Sequence, residues 1–308
     1  MTELNWILLL AAIPVAATPI LLAAIGELVC EKSGVLNLGV EGMMITGAVL
    51  GFIAAVESGS AGLGFLAAMA GAAALSLVFG VLTQVLMSNQ VATGLALTLF
   101  GLGLSAMLGQ GYVGLKPPGV GDVPLGPLAD LPVLGPILFA HDPVIYAGVA
   151  LTAAVWWFLR RSRAGLVLRA VGEGAEAAHA LGYRVALVRM AAIAFGGACA
   201  GAGGAYLSLV RVPQWTEGMT AGAGWIALAL VVFGAWRPWR VLFGALLFGG
   251  IGALQLRLQA SGTAVPVELL SMSPYLVTIV VLVIISSGRG RSRLAAPADL
   301  GRPFHASA

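Results

Sequence analysis

Glu41 follows Asn37 by four residues, so on a helix the two would share one face. Both lie in the glycine-rich, apolar stretch Gly26 to Leu50. A charged group in hydrocarbon costs about 2.5–3.5 kcal/mol and normally faces a polar interior. A carboxylate accepts hydrogen bonds and solute hydroxyls donate them, so this pair suits binding better than bond cleavage. The alternative is a glycine-packed helix in which Glu41 snorkels or is paired structurally. Gln90, Thr93 and Thr98 bring further polar groups to the fourth apolar run, although threonine hydroxyls also bond their own helix backbone. Trp225, at the start of the seventh run, can stack on a ring or anchor the chain at a membrane interface.

Other chemistry is excluded more firmly. Gly26, four residues, then Glu31-Lys32-Ser33 comes within one residue of a phosphate-binding loop. Glu31 stands where the second glycine belongs, its carboxylate repels phosphate, and an apolar helix precedes it where a strand should. Lys32 and Lys116 are the only lysines, so no other phosphate loop exists and the chain cannot hydrolyse ATP itself. Cys30 and Cys199 fall in separate segments. With His141, His179 and His305 they build neither a disulfide nor a metal site. The net charge of +3 is no signal for nucleic acid, because its distribution matters more than its sum.

That distribution picks out Arg160 to Arg189. The chain is 59% apolar and 9% charged, yet six of its 16 basic residues fall in this window, with Glu173, Glu176 and His179. Gly172 and Gly174 flank Glu173. Ala175 to Leu181 then reads as a helix of about two turns closed by Gly182 at C′. Ala177, Ala178 and Leu181 would form its apolar face, with Glu176 and His179 pointing elsewhere.

A bilayer core about 30 Å thick takes roughly 20 apolar residues per helix. Apolar runs over about 6–29, 38–56, 62–87, 91–111, 142–159, 190–210, 221–235, 240–256 and 269–287 suggest an all-α, polytopic membrane protein of about nine spans, within a range of 8–10. The run 221–235 is short enough to be broken or partly inserted. Residues 1–287 read as one transmembrane domain, and the Arg-, Ala- and Pro-rich tail 288–308 is expected to be cytosolic and disordered. With Arg160–Arg189 inside, 13 of the 16 basic residues fall on the cytosolic side, leaving Lys116, Arg211 and Arg257 outside. This asymmetry predicts an external N-terminus and a cytosolic C-terminus. The first five residues lack a basic leader, so the first run reads as a retained helix. Gly111 to His141 carries six prolines and reads as a structured external loop.

Several stretches together carry a resemblance. Glu176-Ala177-Ala178 with Gly182 resembles the EAA loop of ABC-importer permeases, and Glu173 lies beside it. GVLNLGVEGMMITGA, SNQVATGLALTLFGLGLS (Ser88–Ser105) and GAGWIALALVVFGAWRP (Gly222–Pro238) are similar, in order, to hallmarks of the branched-chain amino acid and simple sugar permease family. The nucleoside-type branch is the best fit. The ribose-permease branch has an additional early span that this chain lacks.

The resemblance implies an inner-membrane permease of a bacterial cell that moves a nucleoside or simple sugar. It implies a cytosolic ATPase partner that binds ATP and Mg, so that this chain holds no cofactor and is not itself an enzyme. A second, homologous permease chain and an external solute-binding protein or lipoprotein complete the set, with membrane lipid around them. It also places Glu173, Glu176, Ala177, Ala178 and Gly182 in the ATPase-coupling loop. Asn37, Glu41, Gln90, Thr93, Thr98 and Trp225 are then the candidates for the solute path. The rival reading is an ion-coupled secondary transporter, with Glu41 as its titrating carboxylate.

Overall fold

The computed structural model describes residues 6–124 and 126–260, isolated positions between 269 and 283, and residues 296–305. The first apolar run forms α1 (Trp6–Lys32), apolar on every side. Such a helix belongs inside a bundle, and every residue from Ala16 to Glu31 is buried. After an unwound segment come α2 (Val40–Ser58) and α3 (Ala61–Gly80), which widens into a π turn over Val81–Val85. Asn89 then caps α4 (Gln90–Gly109), its side chain accepting the Ala92 N–H at 3.0 Å.

The proline-rich segment that follows holds short turns and one pair of two-residue strands, Val123–Pro124 against Ala140–His141. Asp142 caps α5 (Pro143–Arg161) through Val144 and Ile145. Two short helices come next, α6 (Arg163–Glu173) and α7 (Ala175–Ala180). Then follow α8 (Val185–Tyr206), the eleven-residue α9 (Ala223–Phe233) and α10 (Pro238–Ala260).

Helices α1, α2, α3 and α8 form the centre of the bundle, and glycine decides how closely they meet. A Cβ on Gly47 would lie 2.4 Å from Gly201 Cα, and one on Gly204 would lie 1.9 Å from the Met44 carbonyl oxygen. Small residues let backbones approach in a membrane, where dispersion and not water expulsion drives packing.

Seven helices among the described residues are long and apolar enough to cross a membrane, where nine were expected. At 1.5 Å per residue α9 is about 16 Å long, too short to cross alone. The run 269–287 lies mostly outside the described residues. The expectation of a disordered tail is corrected for residues 296–305, which fold onto the α6–α7 region. Leu300 N–H bonds Pro297 O at 3.1 Å and Gly301 takes φ +75°, so the segment closes as a turn. Pro297 is then buried, and Leu300 packs on the main core.

Candidate functional site

Between α1 and α2, residues 33–39 are unwound yet mostly buried, and buried backbone must find partners. Gln90 Oε1 accepts the Leu36 N–H at 2.8 Å, and Thr98 Oγ1 donates to Leu38 O at 3.2 Å. Asn37 Oδ1 accepts the Gly39 N–H at 3.0 Å, while Glu27 Oε1 accepts the Asn37 N–H at 3.3 Å. Asn37, Gln90 and Thr98 therefore come together, with most of their polar atoms engaged by this break in the helix. Thr93, half-buried, pairs with Ser88 at 2.8 Å. Glu27 escaped notice in the sequence, although a carboxylate inside an apolar run is its own signal. Its Oε2 and the Nε2 of Gln90 are buried without a hydrogen-bond partner among the described residues.

Asn37 lies in the unwound segment, so the helical face it was expected to share with Glu41 does not form. Glu41 faces α9 instead. Its Oε1 accepts Thr220 Oγ1–H at 2.6 Å and the Gly222 N–H at 2.9 Å, and its Oε2 accepts the Gly224 N–H at 2.7 Å. The N-terminus of α9 supplies no cap of its own, since Gly222 has no side chain and a φ of +85°. The buried carboxylate satisfies those free N–H groups and meets the positive end of the helix dipole. Gly224 is required there, because a Cβ would lie 2.6 Å from Glu41 Cα. Trp225, the next residue, is 38% exposed on the outer side of α9.

The predicted coupling segment is a helix pair. Ser162 caps α6, accepting the Gly165 N–H at 2.9 Å, and α6 buries Leu168 and Val171. In the sequence, the Ser162 cap followed by Leu168 and Val171 is the local signal for α6. Helix α7 closes where expected. Tyr183 N–H bonds Ala178 O at 3.1 Å and Gly182 N–H bonds His179 O at 2.8 Å, with Gly182 at φ +88°. This pattern is a Schellman motif.

The apolar face of α7 differs from expectation. Ala175 and Ala178 point inward onto Val171 and Val185, while Glu176, Ala177 and Leu181 are exposed, Leu181 at 76%. The helix begins at Ala175, which puts positions 175 and 178 on the inner side and 177 and 181 about a third of a turn round from it. Glu173 is exposed at the end of α6.

Two residues that the sequence reading did not single out for this site hold the pair in place. Asp299 Oδ2 accepts the Ala175 N–H at 2.6 Å, and Asp299 N–H bonds Gly172 O at 3.0 Å. Phe304 sets its ring edge-on to His179, with centroids 5.4 Å apart. Arg189, expected at the loop edge, is wholly buried in α8. Its Nε donates to Ser33 O at 3.2 Å, and its Nη1 donates to Gln84 Oε1 at 3.3 Å and Arg302 O at 3.1 Å. The α1–α2 break, α3, α8 and the tail thus meet at one guanidinium, which supplies donors in a fixed fork.

A short exposed helix is thus closed at both ends and clamped to a bundle of membrane-length helices. Residues 9–285 match the family described as branched-chain amino acid transport system / permease component. The chain belongs to this family. It is similar to a putative glucose ABC transporter permease protein of Haloferax volcanii, 42% identical over 319 residues that span 96% of this chain and 97% of the relative. It is also similar to a guanosine ABC transporter permease protein of Bacillus subtilis, 32% identical over 87% of this chain and 88% of the relative. A nucleoside ABC transporter permease protein of Lactococcus lactis subsp. cremoris is 31% identical over 89% and 91%. No solved structure matches the chain significantly. The protein is a multi-pass permease subunit of an ABC transport system.

Proposed function

We propose that this permease imports a simple sugar or nucleoside, with energy from a separate cytosolic ATPase that seats on α6–α7. The observation behind this reading is the coupling helix. It is fixed to the bundle through Ala175, Ala178 and Asp299, yet offers Glu176, Ala177 and Leu181 to a partner. ATP and Mg belong to that ATPase, a second permease chain completes the pathway, and an external binding protein or lipoprotein delivers the solute. The basic residues support α6–α7 on the cytosolic side of an inner membrane.

Alternation between outward- and inward-facing states involves the α1–α2 break and the Glu41–α9 joint. Both are interrupted helices, which lend themselves to transport sites. A sugar has the 42% identical relative behind it, and a nucleoside the relatives at 32% and 31%. In proteoliposomes of the assembled complex, labelled glucose and guanosine are each offered with and without ATP. One of them should enter only with ATP. Uptake by this chain alone, driven by a proton or sodium gradient, overturns the reading.

A further inference from the structure

Three membrane-length helices place an end at one cavity of about 490 Å³, lined from the C-terminal ends of α1 and α5, the side of α6 and the turn between α9 and α10. Five cationic side chains line it: Lys32, Arg160, Arg169, Arg237 and Arg240. The carboxylates near Lys32 are Glu31 and Glu173. Glu31 is already engaged, because its Oε2 accepts the indole N–H of Trp236. Arg169 Nε is buried and has no hydrogen-bond partner among the described residues. A buried guanidinium nitrogen without an acceptor is costly, and an oxyanion would satisfy it with a charge-assisted bond.

The rest of the lining tells a soluble anion from a lipid. Trp156, Trp236 and Trp239 line the same cavity, with Lys32 Nζ 6.0 Å from the Trp236 ring and the Arg160 guanidinium 5.5 Å from the Trp156 ring. Tryptophan beside Arg and Lys at helix ends marks headgroup depth, and basic pockets between membrane helices take anionic lipid headgroups. We propose that this cavity seats the phosphate of an anionic phospholipid, with Arg169 and Arg237 as its principal donors. Its presence does not depend on what the permease carries. The orientation proposed above decides only which leaflet supplies the lipid.

The full-length chain is purified in micelles of mixed phosphatidylglycerol and phosphatidylcholine, and bound lipid is read by native mass spectrometry. Phosphatidylglycerol should be retained preferentially. The preference should fall by roughly fivefold for each charge removed in Arg237→Gln/Arg240→Gln, two exposed residues whose loss leaves the core intact. The control, Arg161→Gln/Arg163→Gln, removes exposed charges outside the cavity and should change little. An equal fall in the control means a diffuse basic surface and overturns the site. So does unchanged preference in the first pair, and so does displacement by excess inorganic phosphate, which would make the ligand a free anion. Loss of the lipid when the ATPase assembles would mark the cavity as a protein contact and overturn it too. A chain that transports normally without lipid preference sinks this proposal and leaves the importer reading standing.

Discussion

Asp299 caps a helix that begins 124 residues before it, its Oδ2 accepting the Ala175 N–H at 2.6 Å. Gly174, at the N-cap position, has no side chain to do this. Asp299 also bonds Gly172 O through its N–H, so one residue fixes both the end of α6 and the start of α7. Its ion pair with Arg302, at 3.7 Å and largely exposed on the arginine side, adds little.

Asp299→Ala should therefore loosen α7, the proposed coupling helix, without loosening the bundle. Loss of a cap costs about 1 kcal/mol locally. In reconstituted complexes, solute moved per ATP hydrolysed should drop severalfold, and Asp299→Asn, which keeps an acceptor, should restore most of it. Equal coupling in all three proteins would show that the cap has no part in transmission.

Glu41→Gln should lower stability more than it changes affinity for solute. The amide keeps one acceptor but turns an NH₂ group toward an N–H of α9. Hydrogen bonds to a charged group contribute about 1.5–3 kcal/mol each, so the cost is on the order of 2 kcal/mol. A fall in the melting temperature of the detergent-purified chain, shared by Thr220→Val, is the expected result. A normal melting temperature with impaired uptake would return Glu41 to the solute path.

Gly182→Ala puts a Cβ on a residue at φ +88° that closes α7. The left-handed conformation costs an L-residue about 1–2 kcal/mol, so the Schellman turn should open. ATPase recovered with the tagged permease should fall, and Gly182→Asn should fall less, since asparagine tolerates that conformation. Full recovery with Gly182→Ala would mean that the ATPase does not read the end of α7.

The proposed orientation is tested by single cysteines at Gly119 and Gly174 in a chain lacking Cys30 and Cys199. An impermeant reagent added outside should label the first and spare the second. Labelling of both from outside would reverse the assignment of α6–α7 to the cytosol.

What was legible in the sequence is what local pattern encodes. Ala175 to Gly182 reads as a capped helix because its C-terminal signal, a glycine at C′, lies next to it. The spans read as spans because hydrocarbon demands length. Glu41 is buried, and its partners Thr220, Gly222 and Gly224 lie some 180 residues away. A carboxylate that caps another helix looks, in one dimension, the same as one that meets a solute. Asp299 was hidden for the same reason, although Pro297, Asp299 and Gly301 form a turn-prone set that could have been noticed. The α6 helix is hard to see because Arg163, Arg169 and Glu173 interrupt its short apolar period.

The cap on α7 also sets an order of events during synthesis. Ala175 leaves the ribosome 124 residues before Asp299, an interval of roughly 6–25 s at about 5–20 residues per second. Through that time α7 lacks the side chain that caps its N-terminus. An ATPase that requires the closed helix would pass over the nascent chain and engage it only once every described membrane helix has been made. Under the proposed function the tail would then act as a maturity mark, joining ATPase binding to the presence of the bundle that the ATPase drives.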